Sequence, residues 1–449
     1  MPIHPNERLD RSPAGALSDR SASHHLLSST IALILAGGRG SRLKQLSERR
    51  AKPAMPFAGN LKVIDFTLSN CINSGLRRVA VLTQYKAQTL IRHVTHGWGF
   101  LDASLGEFID VVPAQQRVDA GWYSGTADAV YQNLDMLRLA APRYVGILAG
   151  DHVYKMDYSV MLAEHVRTEA DLSVACLEVP IEQASAFGVM RVNETGRVIE
   201  FNEKPAQPAS VPGRRGHALA SMGIYIFNAD FLYRELLRDA ARSDSCHDFG
   251  GDIIPRALSR GRVHAHDFKG SCVNRIGDQP YWRDVGTLDA YWEANIDLIS
   301  PHPELDLYDD AWPIRSLQHQ LPPSKFVFDD EGRPGIAIDS LVASGCIVSG
   351  AQVRQSVLFS KVKIGEGSVI DDSLLLPGVQ VGRHVVIRKA IIDKRCVLPD
   401  HLQVGVDPAE DRRYFTVSEK GVTLVTPDML AQYAKNRHAA PQALMPMEV

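Results

Sequence analysis

A glycine-rich turn carrying cations follows the first apolar run of the chain: Ala36-Gly-Gly-Arg-Gly-Ser-Arg-Leu43, with Lys52-Pro53 shortly after. Glycines here let backbone N–H groups approach an anion with no Cβ in the way. Arg39, Arg42 and Lys52 lie in or just after the turn; guanidinium forks match phosphate oxygens and a lysine adds a point charge. Taken together they favour a polyphosphate, with Gly37 and Gly38 as the close-approach positions. The turn alone is weak grounds, because tight strand-to-helix connections need glycine too. It is neither a Walker A loop nor a dinucleotide fingerprint, since no Gly-Lys-Ser/Thr follows and the glycine spacing differs. Asp151 follows Gly150 at the end of a second apolar run, 144–149. In open α/β sheets ligands sit beyond the carboxyl ends of strands, so this carboxylate should face a site. Asp284, in Trp282-Arg-Asp-Val-Gly286, is a second candidate. Two carboxylates meeting near phosphate oxygens would hold Mg²⁺; either one alone could equally be a helix cap or a turn residue.

Such residues need a scaffold. The short apolar runs 31–36, 79–83, 144–149 and 172–179 read as strands, and 126–139 repeats its apolar residues at helical spacing. Strands alternating with helices imply an α/β domain, Rossmann-like with a mostly parallel sheet, over 29–300. Residues 1–28 lack periodicity and read as a mobile arm, and the proline-rich 301–335 as a linker. From 336 onward apolar residues recur every sixth position: Ile347, Val353 and Phe359, then Ile364, Ile370 and Leu376, then Val381 and Ile387. That period marks stacked β-helix coils, with a small sandwich as the alternative. The slip of one between groups suggests coils with insertions.

At 449 residues the chain has room for such an arrangement, and a net charge of -3 gives no global field for nucleic acid or an anionic membrane. The six cysteines are scattered without metal spacing, as expected of free thiols in a reducing compartment. With no apolar run long enough to span a bilayer and no apolar leader, the expected location is cytoplasmic.

The loop Leu35-Ala-Gly-Gly-Arg-Gly-Ser-Arg-Leu43 followed by Arg50-Ala-Lys-Pro-Ala54 resembles that of sugar-phosphate nucleotidyltransferases. Ile64-Asp-Phe-Thr-Leu-Ser-Asn70, Pro113-Ala-Gln-Gln-Arg117, Trp122-Tyr-Ser-Gly-Thr126, Gly150-Asp-His152, Phe201-Asn-Glu-Lys-Pro205, Ser221-Met-Gly-Ile-Tyr225, His247-Asp-Phe-Gly250 and Tyr281-Trp-Arg-Asp284 narrow the resemblance to bacterial ADP-glucose pyrophosphorylases. It spans about 30 to 430, in order. It implies a left-handed parallel β-helix over 336–449, a homotetramer, and adenylyl transfer from ATP to glucose 1-phosphate in glycogen synthesis. Arg42, Lys52 and Asp151 would be catalytic, with Arg42 at the pyrophosphate, Lys52 at the α-phosphate, and Asp151 and Asp284 on Mg²⁺. Lys204 would hold the sugar phosphate, with Tyr123, Gly188, Glu203 and Ser221 lining the same pocket; glycine at 188 would permit close approach of the hexose. Gln115 and Gly37 are assigned to the adenine side.

In regulated members, small-molecule effectors bind where the tail of the first loop meets the β-helix, which singles out Arg49, Arg50 and Lys62. Arg49, Pro56 and Lys62 depart from the enteric pattern of Lys, His and Arg. The expectation is regulation by a different or weaker sugar-phosphate or pyruvate signal. Three rivals carry their own marks: a transferase for another base or sugar, a bifunctional acyltransferase using His384 or His401, and a silent regulatory subunit. The joint presence of Arg42, Lys52, Asp151 and Lys204 speaks against the last.

Overall fold

The computed structural model describes residues 25–38, 40–115, 122–273, 275–276, 279–328 and 331–439. Most of the expected arm, residues 1–24, therefore lies outside the described residues, as do Arg39 and Arg117; residues 25–28 form one helical turn.

The apolar runs become strands, those at 30–35, 78–83, 144–149 and 172–180 with side chains buried on both faces and the others partly exposed. These are β1 (Thr30–Leu35), β2 (Arg78–Thr83), β3 (Phe108–Pro113), β4 (Tyr144–Ala149), β5 (Leu172–Pro180), β6 (Gly188–Val192), β7 (Val198–Glu203), β8 (His217–Asn228) and β9 (Val263–Asp267). Their order is β7-β6-β8-β4-β1-β2-β3, with β5 attached to β8 and β9 to β5. β1 pairs in parallel with both β2 and β4, and β3 in parallel with β2. The long β8 runs antiparallel to β4, β5 and β6. The sheet is thus parallel on the side of the glycine turn and antiparallel on the other. Separate apolar clusters cover its two faces, one around Ile34, Val81 and Leu148 and one around Ile31, Leu33 and Phe227.

Two local expectations change. The helix expected over 126–139 is two helices, Thr126–Tyr131 and Leu134–Ala140. Asn133 interrupts it, donating from Nδ2 to the Ala129 carbonyl at 2.8 Å and to the Tyr123 hydroxyl at 3.0 Å. This is the competition with the helical ladder that makes Asn a poor interior residue. The β-helix does form, but its slip of one arises from shortened coils rather than insertions. Val353 pairs with Ile370 and Ile370 with Ile387, a coil of about 17 residues where three sides of six would need about 18. The first coil draws in Lys325–Val327, which pairs with Ile347–Ser349. The single large excursion lies between Ile392 and Val425, partners across which a helix, Pro408–Tyr414, is inserted.

A shared apolar cluster joins the halves: Leu43, Phe57 and Tyr291 pack with Phe359, Leu374 and Leu424 of the β-helix. The first loop is therefore clamped from its far side, which fixes the polar residues on its near side. Among the described residues no helix is long and apolar enough to cross a membrane, and the six cysteines are all free.

Candidate active site

The helix Ile64–Asn73 is almost wholly buried, yet it carries Asp65, Thr67, Ser69 and Asn70. Buried polar groups must find partners: Asp65 takes Lys62 N, His93 and Trp98, Ser69 bonds with the Arg315 backbone, and Thr67 and Asn70 reach the chain on either side of Asp151. Thr67 Oγ1 donates to the Ala149 carbonyl at 2.9 Å, and Asn70 Nδ2 to that of Tyr154 at 3.1 Å. The short strand His152–Tyr154 then pairs antiparallel with Trp282–Asp284, placing Asp284 opposite His152. Two carboxylates 133 positions apart in sequence meet through this ladder.

Lys52 stands between them. Its ammonium lies 3.0 Å from Asp151 Oδ2 and also donates to Asp284 Oδ1, while Arg42 Nη2 lies 3.1 Å from Asp284 Oδ2. Burial opposes ionisation of Asp151, but Lys52 and then His152 outweigh it and hold the carboxyl at about 2. Asp284 is likewise held below the ordinary carboxylate range, burial being overcome by Lys52. Burial works against the Lys52 ammonium, and the two carboxylates overcome it and raise its pKa. Burial pushes His152 down, toward the neutral ring. The charges of Lys52, Asp151 and Asp284 therefore persist across the neutral range, so the cluster is suited to stabilising charge rather than to passing protons.

The cluster forms one wall of a cavity of about 880 Å³. Of the residues singled out in the sequence, Gly37, Gly38, Lys52, Asp151, Tyr123 and Glu203 line it together. Arg42 and Asp284 abut it through the ion pairs. Gly188, Lys204 and Ser221 are not in the lining: Lys204 is ion-paired with Glu203 at 2.8 Å and Ser221 is buried in β8. Gln115 is exposed at the end of β3, beside the undescribed 116–121. Gly188 has a different reason from the one expected. A Cβ there would lie 2.5 Å from Phe201 and 2.8 Å from Glu203, and one at Gly250 would lie 2.3 Å from Glu203 Oε2. The two glycines make room for Glu203 rather than for a ligand directly.

Sequence reasoning missed several lining residues: Gln84, Thr126, Asp248 and Gly250. Gln84 donates to the Tyr123 carbonyl at 3.1 Å, and Thr126 Oγ1 to Asp248 at 2.7 Å. The motif His247-Asp-Phe-Gly250 was the available signal for two of them. His152, adjacent to Asp151, was also missed: one ligand atom each from Asp151, His152 and Asp284 fall within 4.8 Å of one another.

The residues expected to regulate lie elsewhere. Arg49 pairs with Asp428 at 2.6 Å on the surface, and Arg50 makes a buried two-bond pair with Asp393 at 2.8 and 2.9 Å. Pro56 and Lys62, two of the departures noted above, face each other in a small hairpin. Beside Arg50 stands Lys394, unnoticed in the sequence. Burial, then repulsion from Arg50 and Lys62, lowers it to about 7, and burial lowers Lys62 to about 8.

Comparison with known proteins accords with this geometry. Residues 31–300 match the nucleotidyl transferase family, and 322–425 match the GlmU-like C-terminal hexapeptide family. A glucose-1-phosphate adenylyltransferase of Nitrosospira multiformis is 57% identical over 415 residues, covering 92% of this chain and 98% of that protein. That of Nitrosomonas europaea is 59% identical over 409 residues, 91% and 94% of the two chains. The chain belongs to the glucose-1-phosphate adenylyltransferase family. The family's catalytic half thus coincides with the α/β sheet and its cavity, and its hexapeptide half with the left-handed β-helix. Glucose-1-phosphate adenylyltransferase 2 of Alkalilimnicola ehrlichii, at 57% identity over 92% of this chain, gives the same match.

Proposed function

We propose that the cavity takes ATP and glucose 1-phosphate and releases ADP-glucose and pyrophosphate. The observation that carries this reading is the Arg42–Asp284–Lys52–Asp151 cluster at the mouth of the glycine turn. A phosphate oxygen of the sugar phosphate attacks the α-phosphorus of ATP, the bond to the β-phosphate oxygen breaks, and pyrophosphate leaves. Both reactants are anions, so the protein's task is alignment and charge neutralisation. The backbone at Gly37 and Gly38 approaches the nucleotide phosphates, with Gln115 on the adenine side. Arg42 offsets charge on the departing pyrophosphate, and Lys52 stabilises the α-phosphoryl group. Glu203, seated between two glycines, is positioned to accept from sugar hydroxyls, with Lys204, Ser221, Tyr123 and Gly188 around it. Asp151 and Asp284 would hold Mg²⁺, which screens the oxygens around the reacting phosphorus. A panel of ATP, UTP, GTP and dTTP against glucose 1-phosphate checks the pairing; pyrophosphate release at least tenfold faster with ATP is expected. Comparable turnover of another nucleotide would overturn the base assignment.

A second site is supported by its cations. Arg50 is already paired, so Lys62 and Lys394 are the partners we assign to a phosphate-bearing effector. Because they have been pushed down to about 8 and about 7, each gains its proton as pH falls. Effector affinity should therefore drop as pH rises from about 6.5 to 9, first with Lys394 and then with Lys62, by roughly tenfold or more. Calorimetric titration with a sugar phosphate reads this, and a flat profile would exclude the pair. Strong activation by fructose 1,6-bisphosphate with inhibition by AMP would contradict the altered selectivity expected from Arg49, Pro56 and Lys62. A homotetramer in the cytoplasm completes the proposal.

A further inference from the structure

We infer that His152 is a third ligand of the divalent ion held by Asp151 and Asp284, and that it biases the site toward metals that accept imidazole nitrogen. This rests on the metal reading given above. The ring's place is set by the fold. His152 lies opposite Asp284 in the antiparallel ladder, and its ring meets Trp282 edge-on, with centroids 4.9 Å apart and planes at 71°. On the other side its Cε1 is 3.8 Å from where a Cβ on Gly223 would be, a position with φ of 70°.

So held, the ring turns Nε2 toward Asp151 Oδ1 at 3.6 Å. That is too long for a hydrogen bond. It is close to the separation of about 3.0–3.4 Å between neighbouring donors on one ion with bonds of about 2.1 Å. Nδ1 is buried without a well-formed hydrogen bond, the Met222 backbone being the ring's polar neighbour. A shared cation would give Nε2 a closer partner than the carboxylate at 3.6 Å. The donor set then comprises two carboxylates and one nitrogen, all within 4.8 Å of one another, with remaining positions open to phosphate oxygens. An oxygen-only site suits Mg²⁺, whereas an added imidazole raises affinity for metals later in the first transition row.

The test uses the full chain and Co²⁺ alone, followed by its visible absorption and by competition with a chelating dye. Wild type should develop a Co²⁺ band. In His152→Gln and His152→Asn, the band should shift and Co²⁺ affinity fall at least tenfold, while Mg²⁺ affinity measured by competition falls less than threefold. Asp284→Asn should lose both metals. Equal weakening of both metals in folded His152 variants, or no change in either, would overturn the inference and make the ring a packing residue. Absence of any Co²⁺ band in wild type would overturn it together with the metal reading. The nucleotide panel tests the reaction independently, so the two failures are distinguishable.

Discussion

Asp151→Asn should reduce kcat for pyrophosphate release by about 10³-fold, roughly 4 kcal/mol of transition-state stabilisation. The substitution keeps the size of the side chain and removes its charge. Lys52 is then left with Asp284 as its one carboxylate partner in the cluster, and the proposed metal loses a ligand. The Michaelis constant for glucose 1-phosphate should change less than about threefold, because Glu203 pairs with Lys204 and packs on its two glycines, whereas the ion-pair contacts of Asp151 are Lys52 and His152. Steady-state kinetics at saturating ATP separate the two effects. A variant with near wild-type kcat would remove Asp151 from the reaction.

Arg50→Leu or Asp393→Leu should each destabilise the protein by about 3–5 kcal/mol, since either leaves one charge buried without its partner. The two side chains are only 7% and 4% exposed and make two parallel hydrogen bonds. The pair ties the tail of the first loop to the β-helix, so the loss should appear as a lower thermal midpoint, by several degrees at least. The double Leu variant should recover part of the loss, because it removes both desolvated charges at once. Single variants with unchanged midpoints would show that the shared apolar cluster around Phe57, Phe359 and Leu374 holds the halves together without the ion pair.

Much of this arrangement is legible in the residues, and the exceptions have physical reasons. The central strands announce themselves because both faces are buried, and the β-helix does so because its corners are. The break at Asn133 is not legible, since it depends on Tyr123 lying within reach of the amide. The shortening of the coils is visible in the residues, since Phe359 to Ile364 and Leu376 to Val381 are spaced by five instead of six, and expecting insertions read that slip in the wrong direction. At the site, Asp151 is signalled by its place after a strand, but Asp284 gains its meaning only from the ladder with His152–Tyr154. Gly188 looks like a contact for a sugar until Phe201 and Glu203 are seen to fill its space. His152 was passed over because it follows a carboxylate already assigned a role, and Lys394 because it lies outside every motif that carried the resemblance. Burial, which sequence does not display, gives both their significance.

The central claim is attack at the α-phosphorus of ATP within the Lys52–Asp151–Asp284 cluster. The most direct measurement follows isotopic label from ATP during turnover with glucose 1-phosphate. Label at the α-phosphate should appear wholly in the sugar nucleotide, and label at the γ-phosphate wholly in pyrophosphate. Transfer of γ-label to the sugar, or release of inorganic phosphate in place of pyrophosphate, would contradict it.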